Sequence, residues 1–189
     1  MQNNYFEILD KSIRNNTSSK ILICGNSGSG KSTLAKLISD YYHIPHIEID
    51  HLFWLPGWKI RPKVEFNKLL DKELLNPSWI IDNAGVKLVS ELSNQATLVI
   101  WLDLPSLGNL VRVMRRSLKR RFFTHVSPIG QEKLIEIFKL WRYVLRYRKE
   151  RKPLLEQGIG QHHSLIKISH WNETLALLNT LRQNKDKTR

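Results

Sequence analysis

The sequence has a single cysteine, Cys24. One thiol excludes an internal disulfide and excludes a cysteine-built metal site within one chain. The first twenty residues, MQNNYFEILDKSIRNNTSSK, contain no apolar core of signal-peptide length. No apolar run approaches the roughly 20 residues that a membrane-spanning helix needs. The expected location is the cytoplasm, with no membrane partner. Acidic residues are scarce: 17 Asp+Glu stand against 30 Lys+Arg, a formal net charge of +13. The shortage is local. Residues 112–152 hold 14 basic residues and three acidic ones, which is 14 − 3 = +11 of that charge. So basic a segment suits an anionic visitor, either nucleotide phosphates or nucleic acid; the bland alternative is a solvated basic face. Repeats, low-complexity stretches and domain boundaries are absent too. With 41% apolar residues the chain can bury a core, and residues 1–189 read as one domain.

What is present is an alternation of strand and helix patterns. YFEILDKSI (5–13) carries apolar residues at helical spacing, and 1–19 reads as a leading helix and linker. ILIC (21–24) is an apolar run stopped by Gly25, a buried strand. A helix follows over 30–42. HIPHIEID places a second strand near 46–49 that ends at Asp50, beside the first strand. HLFWLPGWKIRP reads as an aromatic loop punctuated by Pro56-Gly57 and Pro62. Residues 63–75 read as helix, 78–82 as strand and 96–105 as a strand apolar on both faces. Two basic helical stretches, 106–121 and 130–152, flank FFTHVSPIG, so that about 117–131 suits a small arginine-rich lid. A strand over 163–169 and a helix over 173–181 complete the pattern, and 182–189 reads as a frayed polar tail. Strands apolar on both faces imply a parallel sheet between helices, an α/β fold.

One stretch carries explicit chemistry. Gly25-Asn26-Ser27-Gly28-Ser29-Gly30-Lys31-Ser32 matches G-x-x-x-x-G-K-[ST] and is followed by Thr33. A phosphate chain needs inward-pointing backbone N–H groups, and glycines allow both the dihedrals and the close approach. The helix that follows presents its positive end to the anion. Lys31 is placed to reach the β/γ-phosphates of ATP, and Ser32 to ligate Mg²⁺. The apolar strand before the loop and the helix after it are the context this pattern requires. Cys24, just before the loop, reads as a small core residue.

Downstream, IDHLFWLPGWK (49–59), WIID (79–82) and TLVIWLDLP follow this loop. Together they resemble the topology-modulation (FlaR-like) family of small P-loop proteins akin to adenylate kinase. The most specific part is Asp50-x-Leu52-Phe53-Trp54-x-Pro56-Gly57-Trp58, and the likeness runs from about Lys20 to the last helix. The resemblance implies a P-loop core of nucleoside-monophosphate-kinase type: a five-stranded parallel sheet, an acidic residue ending the third sheet strand, and an arginine-bearing lid. In adenylate kinases, arginines nine and thirteen residues beyond an Asp-Val-Pro face the phosphates. Asp103-Leu104-Pro105 is followed at those offsets by Arg112 and Arg116, and the role carries to these two. Two places depart from the family: Asp82-Asn83-Ala84-Gly85 stands for Asp-Gly-Asn-Tyr, and Thr124-His125 stands where relatives tend to have a lid arginine.

Other residues bear on the acceptor. Asp82, ending a buried strand, suits a Mg²⁺ partner through water, or a turn cap. Asp50 suits a base or orienting group for an attacking hydroxyl, or a loop cap. Asp103 reads as a cap. Phe53, Trp54 and Trp58 suit either stacking an acceptor or plugging a long loop. Trp141, Tyr143 and Tyr147 sit among arginines, which suits nucleic acid, but Leu134, Phe138, Trp141 and Leu145 also form an apolar stripe. The expected function is an ATP- and Mg²⁺-dependent phosphotransferase on a small acceptor, such as a nucleotide or nucleoside, with Lys31, Asp50, Arg112 and Arg116 carrying transfer. The alternative is a nucleic-acid end kinase or an ATP-using nucleic-acid-binding regulator, with 112–152 as its basic surface.

Overall fold

The computed structural model describes residues 4–57, 59–122, 134–159 and 162–187. The leading helix α1 spans Tyr5–Arg14. The central strand β1, Lys20–Gly25, feeds the helix α2, Lys31–Tyr42. Then come β2 (His46–Glu48), α3 (Ile49–Phe53), the short antiparallel pair β3 (Trp54–Leu55) and β4 (Lys59–Ile60), and α4 (Lys63–Leu74). The next units are β5 (Trp79–Asp82) with α5 (Val86–Ser93), and β6 (Leu98–Leu102) with α6 (Ser106–Phe122). The basic α7, Leu134–Arg146, continues through a π-helical turn, Tyr147–Arg151, into α8, Lys152–Ile159. Strand β7 (Leu165–Ile168) and α9 (Trp171–Lys187) close the fold.

The main sheet has five parallel strands in the order β2-β5-β1-β6-β7. Its inner strands are buried on both faces: all four residues of β5 and all five of β6 are buried. Two apolar layers result. On one face Ile21, Ile23, Ile80 and Ile100 meet Leu34 and Ile38 of α2 and Leu177, Leu178 and Leu181 of α9. On the other, Leu22, Cys24, Ile81, Val99 and Trp101 meet Val89 and Leu92 of α5, Tyr147, and Leu155 and Ile159 of α8. Each fully buried side chain of this size contributes about 1.5–3 kcal/mol of transfer free energy, so the alternate residues of β1 anchor both layers at once. Trp101 is also held by its edge: Nε1 donates to the Tyr147 hydroxyl at 2.9 Å.

Several expectations change. The second strand is three residues long and pairs with β5, not with β1. It stops at Glu48, and Asp50 stands in the first turn of α3. The aromatic segment is a helical turn and a hairpin, pinned where the Arg61 amide donates to the Phe53 carbonyl at 2.9 Å and Arg61 Nε donates to the Leu52 carbonyl at 2.7 Å. The end of the chain is helical through Lys187, because α9 continues past the apolar positions that define it in sequence, with Lys185 paired to Asp40 of α2 at 2.8 Å. Residues 117–122 belong to α6, while 123–131 of the expected lid, with Thr124 and His125, lie outside the described residues, as does Trp58.

Candidate active site

The site lies beyond the carboxyl ends of β1, β5 and β6, where ligands bind in open parallel sheets. Its floor is the glycine loop. Gly25 has φ of 138°, and a Cβ there would stand 2.4 Å from the Leu102 carbonyl oxygen. Gly28 has φ of 78°, and its Cβ would stand 2.6 Å from the Asn109 carbonyl oxygen. A real Cβ is never that close to a backbone atom, so α6 and β6 press on the loop at distances only glycine allows. Gly30, with φ of 94°, enters α2 as its N-terminal cap.

Side chains lock the loop from within. Asn26, 1% exposed, donates from Nδ2 to the Val144 carbonyl of α7 at 3.0 Å and accepts the Ser27 amide on Oδ1 at 2.8 Å. Lys31 Nζ donates to the Asn26 carbonyl at 2.9 Å, keeping the ammonium against the loop it is expected to serve. Arg112 completes the enclosure. Its Nε donates to the Gly28 carbonyl at 2.8 Å, its Nη2 to Asn109 Oδ1 at 2.7 Å, and its guanidinium lies 3.9 Å from the Trp171 ring centre. Burial lowers the Arg112 pKa from the ordinary arginine value. Arg116 lies one turn along α6 from Arg112, and its side chain lies outside the described residues.

The carboxylates divide by surroundings. Asp82 ends β5 fully buried. Its Oδ1 accepts from His46 Nε2 at 3.0 Å, and its Oδ2 has no hydrogen-bond partner. Asp50 stands nearer solvent on α3. Between them sits Asn83, whose Nδ2 is 3.1 Å from Ser32 Oγ and 3.3 Å from Asp50 Oδ2. Ser32, Asp50 and Asn83 are therefore brought together. Asp103 makes no capping bond: its Oδ1 has no hydrogen-bond partner, while its Oδ2 holds Lys152 at 2.7 Å and Lys167 at 3.6 Å, with Lys167 4.2 Å from the Trp101 ring centre. An open recess of about 340 Å³ beside the first turns of α2 is lined by Ser32, Thr33, Lys36, His46, Glu48 and Arg182 among others. None of Gly25–Gly30 lines it, so it is separate from the glycine loop.

The donor set fits a nucleotide-bound Mg²⁺. No group of three or more His, Cys, Asp or Glu side chains that could hold a metal exists among the described residues. Mg²⁺ does not need one, since it keeps waters and leans on substrate phosphates plus one or two protein oxygens. Ser32 Oγ and the unpartnered, buried Oδ2 of Asp82 are oxygens of that kind.

The aromatic residues separate. Phe53 packs edge-on to Trp54 at 5.0 Å and to Phe66 of α4 at 6.0 Å, which plugs the α3–α4 junction. Tyr147 is core, while Tyr143 is half exposed and carries the Arg151 guanidinium on its ring. Cys24 is buried, and that burial pushes its thiol up to about 12, away from any reactive role near neutrality. Sequence reasoning singled out neither Trp171, Asn109 nor His46. Asn83 was visible only as a departure from the family pattern.

No family model matches the chain and no curated protein matches it, so the topology-modulation resemblance stands on the quoted residues alone. Solved structures do match. A structure of TT1252 from Thermus thermophilus aligns over 89% of this chain and 98% of that one, with 18% identity and a TM-score of 0.51. Shikimate kinase from Acinetobacter baumannii, solved with shikimate, aligns over 91% of this chain and 96% of that one, with 19% identity and a TM-score of 0.54. At such identities the likeness is one of fold: the sheet with its flanking helices is the α/β fold of P-loop kinases of nucleoside-monophosphate-kinase type.

Proposed function

We propose that the chain is a phosphotransferase that moves the γ-phosphoryl group of ATP to a hydroxyl of a small acceptor. The observation that carries this reading is the closed cradle: Lys31 and Arg112 both hydrogen-bond the backbone of a glycine loop at the amino end of α2. Phosphoryl transfer asks mainly for positioning and charge neutralisation. Loop amides, Lys31 and the helix end would cradle the donor phosphates. Arg112, with Arg116 one turn on, would meet charge spreading onto the transferred group. Ser32 and Asp82 would hold a Mg²⁺ ion, which would supply further neutralisation of phosphate charge. Asp50 would take the proton of the acceptor hydroxyl as its oxygen bonds to phosphorus and the bond to the leaving ADP oxygen breaks.

Basic residues 112–152 also suit nucleic acid, but three of the described ones are turned onto the fold itself. Arg112 bonds the Gly28 carbonyl of the loop, Arg151 lies on the Tyr143 ring and Lys152 is on Asp103. That favours the small-acceptor reading. The test is a screen of γ-labelled ATP against nucleosides, nucleotides, sugars, alicyclic hydroxy acids such as shikimate, and oligonucleotides. Label transferred to a small hydroxyl compound bears the proposal out. Label appearing only on oligonucleotide ends replaces it with an end kinase. No Mg-ATP binding at millimolar nucleotide removes both.

A further inference from the structure

Asn83 follows the last residue of β5 with φ of 58°. Asparagine visits this left-handed region more readily than most residues. One reading of the residue ends there: it turns the chain. The side chain does more. A single amide nitrogen lies within hydrogen-bond range of Ser32 Oγ and of Asp50 Oδ2, at 3.1 and 3.3 Å. Its orientation is fixed by chemistry, since an ionised carboxylate can only accept, so the nitrogen and not the oxygen must face Asp50. The nitrogen has two hydrogens, and the two acceptors use both. Ser32 belongs to the phosphate side of the site and Asp50 to the acceptor side, and they stand on different elements, α2 and α3. The family pattern has glycine at this place, which can make neither bond.

We infer that Asn83 is a positioning residue whose amide ties the acceptor-side carboxylate of Asp50 to the phosphate-side hydroxyl of Ser32. The tie sets where Asp50 Oδ2 stands relative to the donor phosphates before either substrate arrives. This rests on the phosphotransferase reading above. A displacement of about 1 Å in a reacting group can cost on the order of a hundredfold in rate, so a restraint on Asp50 acts on turnover and not on nucleotide affinity.

The discriminating variant is Asn83→Gly, because glycine keeps the left-handed backbone and removes only the amide. Three measurements on the full chain decide. Side-chain amide resonances of ¹⁵N-labelled protein identify the Asn83 signal by its loss in Asn83→Gly. That signal shifts in both Ser32→Ala and Asp50→Ala if the two bonds exist; an unmoved signal in either variant overturns the tie. Calorimetry with ADP and Mg²⁺ finds affinity in Asn83→Gly within about twofold of wild type, while label transfer from γ-labelled ATP, read with water as acceptor, slows about tenfold or more. Wild-type turnover in Asn83→Gly overturns the inference. The double variant Asn83→Gly/Asp50→Ala turns over no more slowly than Asp50→Ala alone, because two groups acting through one contact are not additive; losses that multiply overturn it as well. A wild type that neither binds the nucleotide nor releases phosphate sinks the phosphotransferase reading instead, and the resonance shifts, which need no turnover, still judge the tie.

Discussion

The two halves of the site are built by different means. The half proposed for phosphate is one continuous stretch, Gly25–Ser32, whose shape comes from missing side chains: Gly25 and Gly28 let β6 and α6 approach to distances no Cβ tolerates. The half proposed for the acceptor is assembled from β2, α3 and the end of β5, and its shape comes from side chains that reach one another, His46 to Asp82 and Asn83 to Asp50, with Asn83 also reaching Ser32 of the other half. Where backbone makes the site, single additions break it. Where side chains make it, single deletions do.

Lys31→Ala should show the largest effect, a loss of label transfer of about a thousandfold, since one preorganised charge at the transferring group is worth that much. A fall of less than tenfold would mean that the loop is not where phosphate reacts. Asp50→Asn keeps shape and removes the base; transfer should fall about a hundredfold with Mg-ADP affinity unchanged by calorimetry. A variant that melts early yet transfers normally below its melting point would leave Asp50 a structural residue. Glycines sharpen the contrast. Gly28→Ala should lose about 3 kcal/mol in denaturant unfolding and most nucleotide binding, through clash and strain together. Gly57→Ala, with φ of 77° but nothing within 4 Å, should lose about 1 kcal/mol and no binding, the cost of backbone strain alone. If the two glycine variants behave alike, close approach is not what shapes the loop.

The last test is a pH slope, which touches stability and not the site. The Cys24 thiol is held at about 12 by burial, while an unfolded thiol titrates near 8.5. The unfolded chain therefore releases this proton first. Stability should be fully present below about pH 8.5 and fall by up to about 1.4 kcal/mol per pH unit above it, a loss that continues to about pH 12. Burial raises Tyr147 as well and adds to the fall at the alkaline end. Cys24→Ala should flatten the first part of the slope in urea melts taken at pH 8 and pH 10.

Legibility in the sequence follows the same division. β1, the loop and the start of α2 could be read because their signals are local: an apolar run, three glycines and a helical repeat within a few residues. The place of β2 could not. Three residues are too few for a strand pattern, and their neighbour is chosen by β5, over thirty residues away in sequence. α3 and the hairpin were hidden because Pro56 and Gly57 read as loop wherever they fall, while what pins the segment is Arg61 reaching back to Leu52 and Phe53. The π-helical turn at Tyr147–Arg151 left no mark, since Tyr147 sits where an unbroken helix would also bury it. Asn83 is the instructive case. Its identity flagged a departure, but a two-acceptor contact joining residues 32, 50 and 83 exists only in three dimensions.

Asn26 carries a consequence for how this chain can vary. The glycine-loop pattern permits any residue at that position, yet the side chain here is enclosed and its Nδ2 is bound to the carbonyl of Val144, 118 residues away. A loop residue that is free in the pattern is thus committed by its tertiary partner. Scanning every substitution should find position 26 as intolerant as the glycines beside it, with aspartate failing because its oxygens cannot donate to a carbonyl. Tolerance would return only with a change in the backbone of α7 that withdraws that carbonyl, so in descendants of this sequence the two sites should drift together or not at all.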